Sequence, residues 1–384
     1  MRGAAMKVAI IGAGLGGLAS AIALRKRGVD VQVFERAREL RPIGAGLTLA
    51  PNGLKALNAI DPDIVARLLE LGSQNSRLYL RRANGDLITE IPITFMDRYG
   101  QPMLNIVWSC LQKVLTGFLK ADAVRLDHRL VGFERTNDGL SLHFDGRDPV
   151  TADVLVGADG INSTVRQIMV GDGPPRYAGR LCWRSVVSYQ HPSLLPDEVT
   201  FFAGVDGRNF SMFDVGSGLV FWSATALWPA WPISDGIAPR QRVTEAFAGW
   251  APLVQDVLAA TPPEDIVERP IEDRAPLASW RSHRVTLLGD AAHAMVPSLG
   301  QGANMAFEDA WELAQALAGE PDTQAALIHY ESSRIPRTQV VHARSAAQGY
   351  RYYDADNETF SRSVLEQASA DQRAFEDWLY GWSP

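Results

Sequence analysis

The stretch 7–28, KVAIIGAGLGGLASAIALRKRG, decides the fold. From Val8 to Leu24 it runs seventeen residues without a charge, so it is a membrane span, a secretory signal or the floor of a nucleotide site. A spanning helix needs about 20 apolar residues, and this run stops at Arg25, Lys26 and Arg27. A secretory signal implies an oxidised, cysteine-paired mature chain. The whole sequence holds 2 cysteines, Cys110 and Cys182. Gly12, Gly14, Gly16 and Gly17 would each weaken a continuous helix by roughly 1 kcal/mol. The stretch therefore divides into a buried strand, KVAII, a turn, and a helix from about Leu15.

That division places Gly12-x-Gly14-x-x-Gly17 between strand and helix. Gly12 permits the tight turn, Gly14 lets the backbone approach a pyrophosphate, and Gly17 lets helix and strand pack closely. The helix N-terminus, beginning at Leu15, presents free N–H groups and a positive dipole end to the phosphates. A second strand, VDVQVFE, ends at Glu35, eighteen residues after Gly17. A carboxylate there can accept hydrogen bonds from the hydroxyls of an adenosine ribose. In this context the motif reads as a dinucleotide site, with NAD and FAD both open.

The bulk numbers narrow the class. A chain of 384 residues suits one large or two ordinary domains. Hydrophobic content of 46% and charged content of 21% describe a soluble globular protein with a sizeable core. A net charge of −7 without a long basic run argues against a nucleic-acid partner. No later segment is long and apolar enough to span a bilayer, so a cytoplasmic setting is expected, as a monomer or homodimer. No metal-ligand cluster is visible.

Along the chain, a loop containing Gly46 leads to a short strand and a helix near Pro51. Residues 77–97 read as a hairpin around Asn84-Gly85-Asp86. A helix is expected over 109–119, and DVLVGADG, from 153, reads as a buried strand running into a loop. From Tyr177 to about Trp231 the texture turns aromatic and β-rich, broken by glycine turns. Helical spacing returns over 239–260, a last strand comes near residue 285, and the chain closes with a long helix, Pro336 a kink within it. The expected fold is α/β: a Rossmann-like domain interrupted by an antiparallel β-sheet substrate domain, with a C-terminal helix. Residues 1–76, 98–176 and 266–340 form the dinucleotide domain, 77–97 and 177–265 the β-rich domain, and 341–384 a helical tail.

Three motifs coincide: GAGLGGL at 12–18, DVLVGADGINSTVR at 153–166 and GDAAHAMVPSLGQGANMAFEDA at 289–310. Together they resemble the group A, para-hydroxybenzoate hydroxylase-like FAD-dependent monooxygenases. The pattern is most similar to the branch of urate hydroxylase, salicylate hydroxylase and zeaxanthin epoxidase. The resemblance covers nearly the whole chain, with LCWR at 181–184 and YESSRIPR at 330–337 included. It implies a glutathione reductase-like FAD domain holding non-covalent FAD, with NAD(P)H as a transient co-substrate and O₂ as oxidant. It further implies oxygen transfer through a flavin C4a-hydroperoxide to a small aromatic or heteroaromatic substrate, by hydroxylation or epoxidation. The alternatives on the same scaffold are a flavin-dependent reductase or oxidase, or a halogenase; WPAWPIS at 228–234 echoes a halogenase signature with the wrong spacing.

On this resemblance the FAD contacts are Gly12, Gly14, Leu15, Gly17, Glu35, Arg36, Gly46, Gln112, Leu130, Asp159, Gly160, Gly289, Asp290, Gly300, Gly302 and Ala303. Asp290, right after a buried strand, suits the ribityl hydroxyls. Gly300 to Asn304 open a helix whose N–H groups suit the flavin N1 and C2 carbonyl. Asp159 and Gly160 serve FAD and the nicotinamide cofactor alike, and Pro297 lies by the reactive face of the flavin. His293 reads as a hydrogen-bonded fixture. One position departs from the family: where relatives carry an arginine for the FAD pyrophosphate, this chain has Trp108, leaving Arg36 or Arg41 to supply the charge.

For the substrate, the candidates are Leu47 and Thr48 from the early loop, and Arg208, Phe210, Met212, Val220 and Trp222 from the β-layer. Period-2 alternation separates Phe210 and Met212 from Ser211 and Phe213, and leaves open which set faces inward. In urate-hydroxylating relatives an arginine matching Arg208 addresses the substrate, while the partner tyrosine is Val220 here. Arg208 is accordingly expected as a substrate anchor for an anionic or carbonyl-bearing ring.

Overall fold

The computed structural model describes residues 6–40, 45–192, 194–195, 197–204, 207–354 and 370–384, with side chains of 348–354 left aside. The strand Lys7–Ile11 is apolar and buried after its first residue, as a central parallel strand must be. It pairs in parallel with Asp30–Phe34 on one side and Val154–Gly157 on the other. Val285–Leu287 continues the parallel set, Arg281–Ser282 closes that edge antiparallel, and Val124–Arg125 closes the opposite edge.

The helix Leu15–Lys26 buries Leu18, Ala19, Ile22 and Leu24 on this sheet. The sequence crosses from the first strand to Asp30–Phe34 in one direction and later returns to its other flank. That strand order makes the carboxyl end of Lys7–Ile11 a topological switch point, where open α/β sheets place ligands. Leu130–Arg135, Leu140–Phe144 and Val150–Ala152 form an antiparallel three-stranded sheet that precedes the return strand.

A second layer is a seven-stranded sheet in the order Val267–Asp273, Arg176–Ser188, Leu219–Leu227, Asn209–Asp214, Glu198–Ala203, Arg77–Arg82, Leu87–Pro92. It departs from the expectation of a wholly antiparallel layer, because Glu198–Ala203 and Arg77–Arg82 run parallel. Those strands come from two chain excursions, so no tight turn forces them antiparallel. Val267–Asp273, assigned by sequence to the dinucleotide domain, pairs instead with Arg176–Ser188 at this sheet's edge.

One face of this sheet carries its own core. Trp183, Phe210, Met212, Val220 and Trp222 pack with Val243 and Val254, from the helices Pro239–Ala246 and Pro252–Ala260, and with Phe247 and Trp250 from the connection between them. Phe210 and Trp222 stack at 5.5 Å, and the buried Trp222 Nε1 donates to Thr261 Oγ1 at 2.9 Å. After Gly302–Gly319 come the helices Thr323–Asp354, with Pro336 inside it, and Ala370–Tyr380. The second, within the stretch 341–384 expected as a helical tail, sets Phe375 and Leu379 against Met305 and Val341. Among the described residues no helix is long and apolar enough to cross a membrane.

Candidate functional site

A continuous cavity of about 1480 Å³ runs from the switch point of the parallel sheet to the open face of the seven-stranded sheet. Its floor is the glycine turn. Gly12 has φ +107°, and a Cβ there would stand 2.4 Å from Ala158 O; one on Gly17 would stand 2.1 Å from Gly12 O. Both positions exclude any side chain for reasons internal to the fold. At Gly14 the opposite holds: a Cβ would meet nothing within 4 Å, because it would project into the cavity.

Several side chains hold that floor. Gln112 donates from Nε2 to Ala13 O at 2.8 Å. The Glu35 carboxylate accepts from the backbone N–H of Ala13 and of Ala37, both at 2.9 Å. Glu35 therefore braces the turn and keeps lone pairs for a ligand hydroxyl. Asp159 accepts from Ser163 Oγ and from Thr164 N at 2.7 Å, which seats the helix Thr164–Met169. Burial raises the Asp159 pKa, the hydrogen bonds opposing it.

At the other end of the floor, Asp290 begins a short helix after the strand Val285–Leu287. Its carboxylate is open to the cavity yet recessed among protein atoms. That desolvation raises its pKa, His293 partly countering it. Gly302 opens the helix Gly302–Gly319, whose first turn carries no side-chain cap, so N–H groups remain for a ligand. Asn304 pins the approach to this turn, accepting from Ala50 N at 3.0 Å and donating to Gly300 O at 2.9 Å. His293 is buried against Asp309, Nε2 to Oδ2 at 2.6 Å, the fixture its sequence setting suggested.

A match to the family model "FAD binding domain" extends over residues 5–345. The chain belongs to this family of FAD-dependent monooxygenases. A 3-amino-4-hydroxybenzoate 2-monooxygenase of Streptomyces platensis is 34% identical, with 98% of this chain and 96% of that protein covered. An FAD-dependent urate hydroxylase of Klebsiella pneumoniae is 31% identical over 87% of each chain. The crystal structure of Klebsiella pneumoniae HpxO complexed with FAD and uric acid superposes with a TM-score of 0.88 at 28% identity, covering 98% of this chain and 96% of that one.

Every residue named from sequence as an FAD contact of this family lines the one cavity: the glycine turn, Glu35, Arg36, Gly46, Gln112, Leu130, Asp159, Gly160, Gly289, Asp290, Gly300, Gly302 and Ala303. Pro297, Leu47, Thr48 and Trp108 line it as well. Arg41 lies outside the described residues. Trp108 begins the helix Trp108–Gly117, its N–H donating to Ala45 O at 2.8 Å. Trp108→Arg should tighten FAD about tenfold, since a hydrogen bond to a charged group contributes roughly 1.5–3 kcal/mol. Fluorescence titration of the apoprotein checks this; unchanged or weaker binding removes Trp108 from the phosphate site.

The β-layer candidates need correction. Phe210, Met212, Val220 and Trp222 are buried on the helix side of the sheet. Arg208 shares that side: Nη1 donates to Ala246 O, and the guanidinium lies 5.8 Å from the Trp250 ring centre. Side chains alternate strictly along a strand, and the phase left open by the sequence turns all five away from the cavity. The cavity face instead carries Cys182, Arg184, Asn209, Ser211, Phe213, Phe221, Ser223 and Thr225. The polar alternation Asn209, Ser211 and Ser223, Thr225 was visible in the sequence, but the helices covering the other face were not.

Asp290 yields a prediction with two signs. An acid whose pKa is raised on folding holds its proton more firmly folded than unfolded. Stability of the apoprotein then falls as pH rises through the ordinary carboxylate range. Asp290→Asn should raise the apoprotein Tm at about pH 7 more than at about pH 4, while weakening FAD. Equal Tm shifts at both pH values would show that the carboxylate is not desolvated.

Proposed function

We propose that this protein is an NAD(P)H-dependent monooxygenase that hydroxylates a small aromatic or heteroaromatic compound. One observation carries the reading: the dinucleotide cradle and an aromatic, polar sheet face belong to a single cavity. Its volume exceeds the roughly 300–1000 Å³ of a site for one drug-sized ligand, as a cofactor and a substrate together require.

The residues fit FAD. Gly14 leaves space for a pyrophosphate, the Leu15 helix start offers N–H groups, Glu35 would accept from a ribose, and Asp290 would accept from ribityl hydroxyls. The N–H groups at Gly302 and Ala303, at the cavity wall, would stabilise the negative charge that a reduced flavin gathers. Bound there, FAD supplies the redox and oxygen chemistry that these side chains lack.

The protein's part is to position and to exclude water. Gly46 closes the seam between early loop and sheet, since a Cβ there would stand 2.6 Å from Phe221. Phe221 packs on Phe213, ring centres 5.1 Å apart, and the pair walls the cavity from solvent. Asp159 and Gly160 line the cavity and, on the family resemblance, would serve the transient nicotinamide as well. The unpaired Cys110 and Cys182 suit a reducing, cytoplasmic compartment.

The test is substrate-stimulated NADH or NADPH oxidation by FAD-loaded protein, with O₂ uptake matched against hydroxylated product. Stoichiometric H₂O₂ without product, for every aromatic tried, would replace this reading by an oxidase. Halide-dependent product would replace it by a halogenase.

A further inference from the structure

The cavity face of the seven-stranded sheet is organised in cross-strand rows. Strand pairing sets Arg184 opposite Ser223, and Ser223 opposite Ser211. The neighbouring row on that face runs Cys182, Thr225, Asn209, and the row on its other flank includes Phe221 and Phe213. A cation with two hydroxyls thus sits between an aromatic wall and a second polar row, all lining the cavity.

The Arg184 side chain makes no hydrogen bond or ion pair among the described residues; its Nε is buried without a partner. Arg184 is half-buried; the buried Arg166 and Arg242, by contrast, are met by Asp172 and Glu268. Asn209, 6% exposed, likewise leaves its Nδ2 unpartnered. The acids that line the cavity, Glu35, Glu39, Asp159 and Asp290, all come from the parallel-sheet domain and its loops. A buried guanidinium Nε–H and a buried carboxamide nitrogen left without protein acceptors are costly unless a ligand satisfies them.

Resting on the monooxygenase reading above, we propose that Arg184 is the substrate anchor and that the substrate is an aromatic or heteroaromatic carboxylic acid. The planar guanidinium matches a carboxylate in two parallel hydrogen bonds. Ser211 and Ser223 flank it as further donors, and Phe213 and Phe221 cover the ring. A central strand gives the anchor a rigid base. This replaces Arg208 as the anionic-group contact and selects against lipophilic neutral substrates, which would leave the cation desolvated and unpaired.

FAD-loaded protein is titrated with hydroxybenzoates, aminohydroxybenzoates and hydroxyquinoline carboxylates, each beside its primary amide, reading flavin absorbance and stimulated NAD(P)H oxidation. At least one acid should bind about tenfold or more tightly than its amide. Arg184→Gln should raise KM for that acid at least about tenfold while leaving the amide and the FAD content unchanged. Arg184→Lys should restore part of the difference. Equal binding of acid and amide, an unaffected KM in Arg184→Gln, or a flavin that responds to none of the acids would overturn the anchor. Failure to bind FAD at all would instead overturn the monooxygenase reading, and the anchor with it.

Discussion

Gly14→Val should purify folded and colourless, with FAD binding weakened on the order of a hundredfold or more, equivalent to about 2.7 kcal/mol. The reason is the contrast among three glycines of one turn. A side chain at Gly12 or Gly17 collides with backbone oxygen 2.4 or 2.1 Å away, so those variants should fail to fold correctly. Gly14 has no positive φ to defend: as the residue before the helix it sits at φ −71° and ψ 175°, open to any amino acid. Its hypothetical Cβ touches nothing within 4 Å. The constraint on Gly14 therefore comes from the ligand alone. Apoprotein Tm should match wild type while the flavin spectrum is lost. A yellow Gly14→Val protein with normal FAD content would remove the pyrophosphate from this turn.

The same contrast shows what the sequence could disclose. Gly12, Gly14 and Gly17 are readable because local geometry fixes their roles: strand, turn and helix are consecutive, and each glycine answers one steric demand. The places of Asp290 and of the Gly300–Ala303 turn on the cavity wall were legible for a related reason, one following a buried strand and the other opening a helix, whereas Asp159 came through the family resemblance. The cavity face of the β-layer was not. Which face of NFSMFD points inward depends on Pro239–Ala246 and Pro252–Ala260 arriving some thirty residues later, and no local preference records that. Phe210 and Met212 were candidates by their place in the β-layer, and the helices behind the sheet bury them in its core. Arg184 was hidden in LCWR, a motif quoted for resemblance, because its lack of a partner is a three-dimensional fact. Val267–Asp273 was misassigned for the same cause: strand membership is set by pairing across about 90 residues.

The buried ion network beneath the cavity gives the largest expected stability effect. Arg334 is fully buried, with Nε donating to Asp309 Oδ1 at 2.7 Å and Nη1 to Glu308 Oε2 at 2.6 Å. Arg337 also meets Glu308, and donates to Leu379 O at 2.8 Å, tying in the last helix. Asp309 in turn accepts from Gly289 N at 3.1 Å and from His293, and Glu308 accepts from Asn52 Nδ2 at 2.7 Å. The network thus fixes Gly289 beside Asp290, so packing here reaches the cofactor floor. Arg334→Met should cost about 3–5 kcal/mol, because it leaves buried carboxylates undercompensated, out of a total near 5–15 kcal/mol. Burial alone would raise the Asp309 pKa, but His293 and Arg334 outweigh it and hold the carboxyl below its ordinary value. A depressed carboxyl contributes stability above its unfolded pKa and loses it as pH falls through the folded pKa. Without Arg334 that loss should begin at higher pH, shifting the acid unfolding midpoint upward. Charge and volume are separable through Arg334→Met combined with Asp309→Asn. If the unpaired charge is the cause, the double variant is more stable than Arg334→Met alone; if it is less stable, lost packing and hydrogen bonds dominate and the electrostatic account fails.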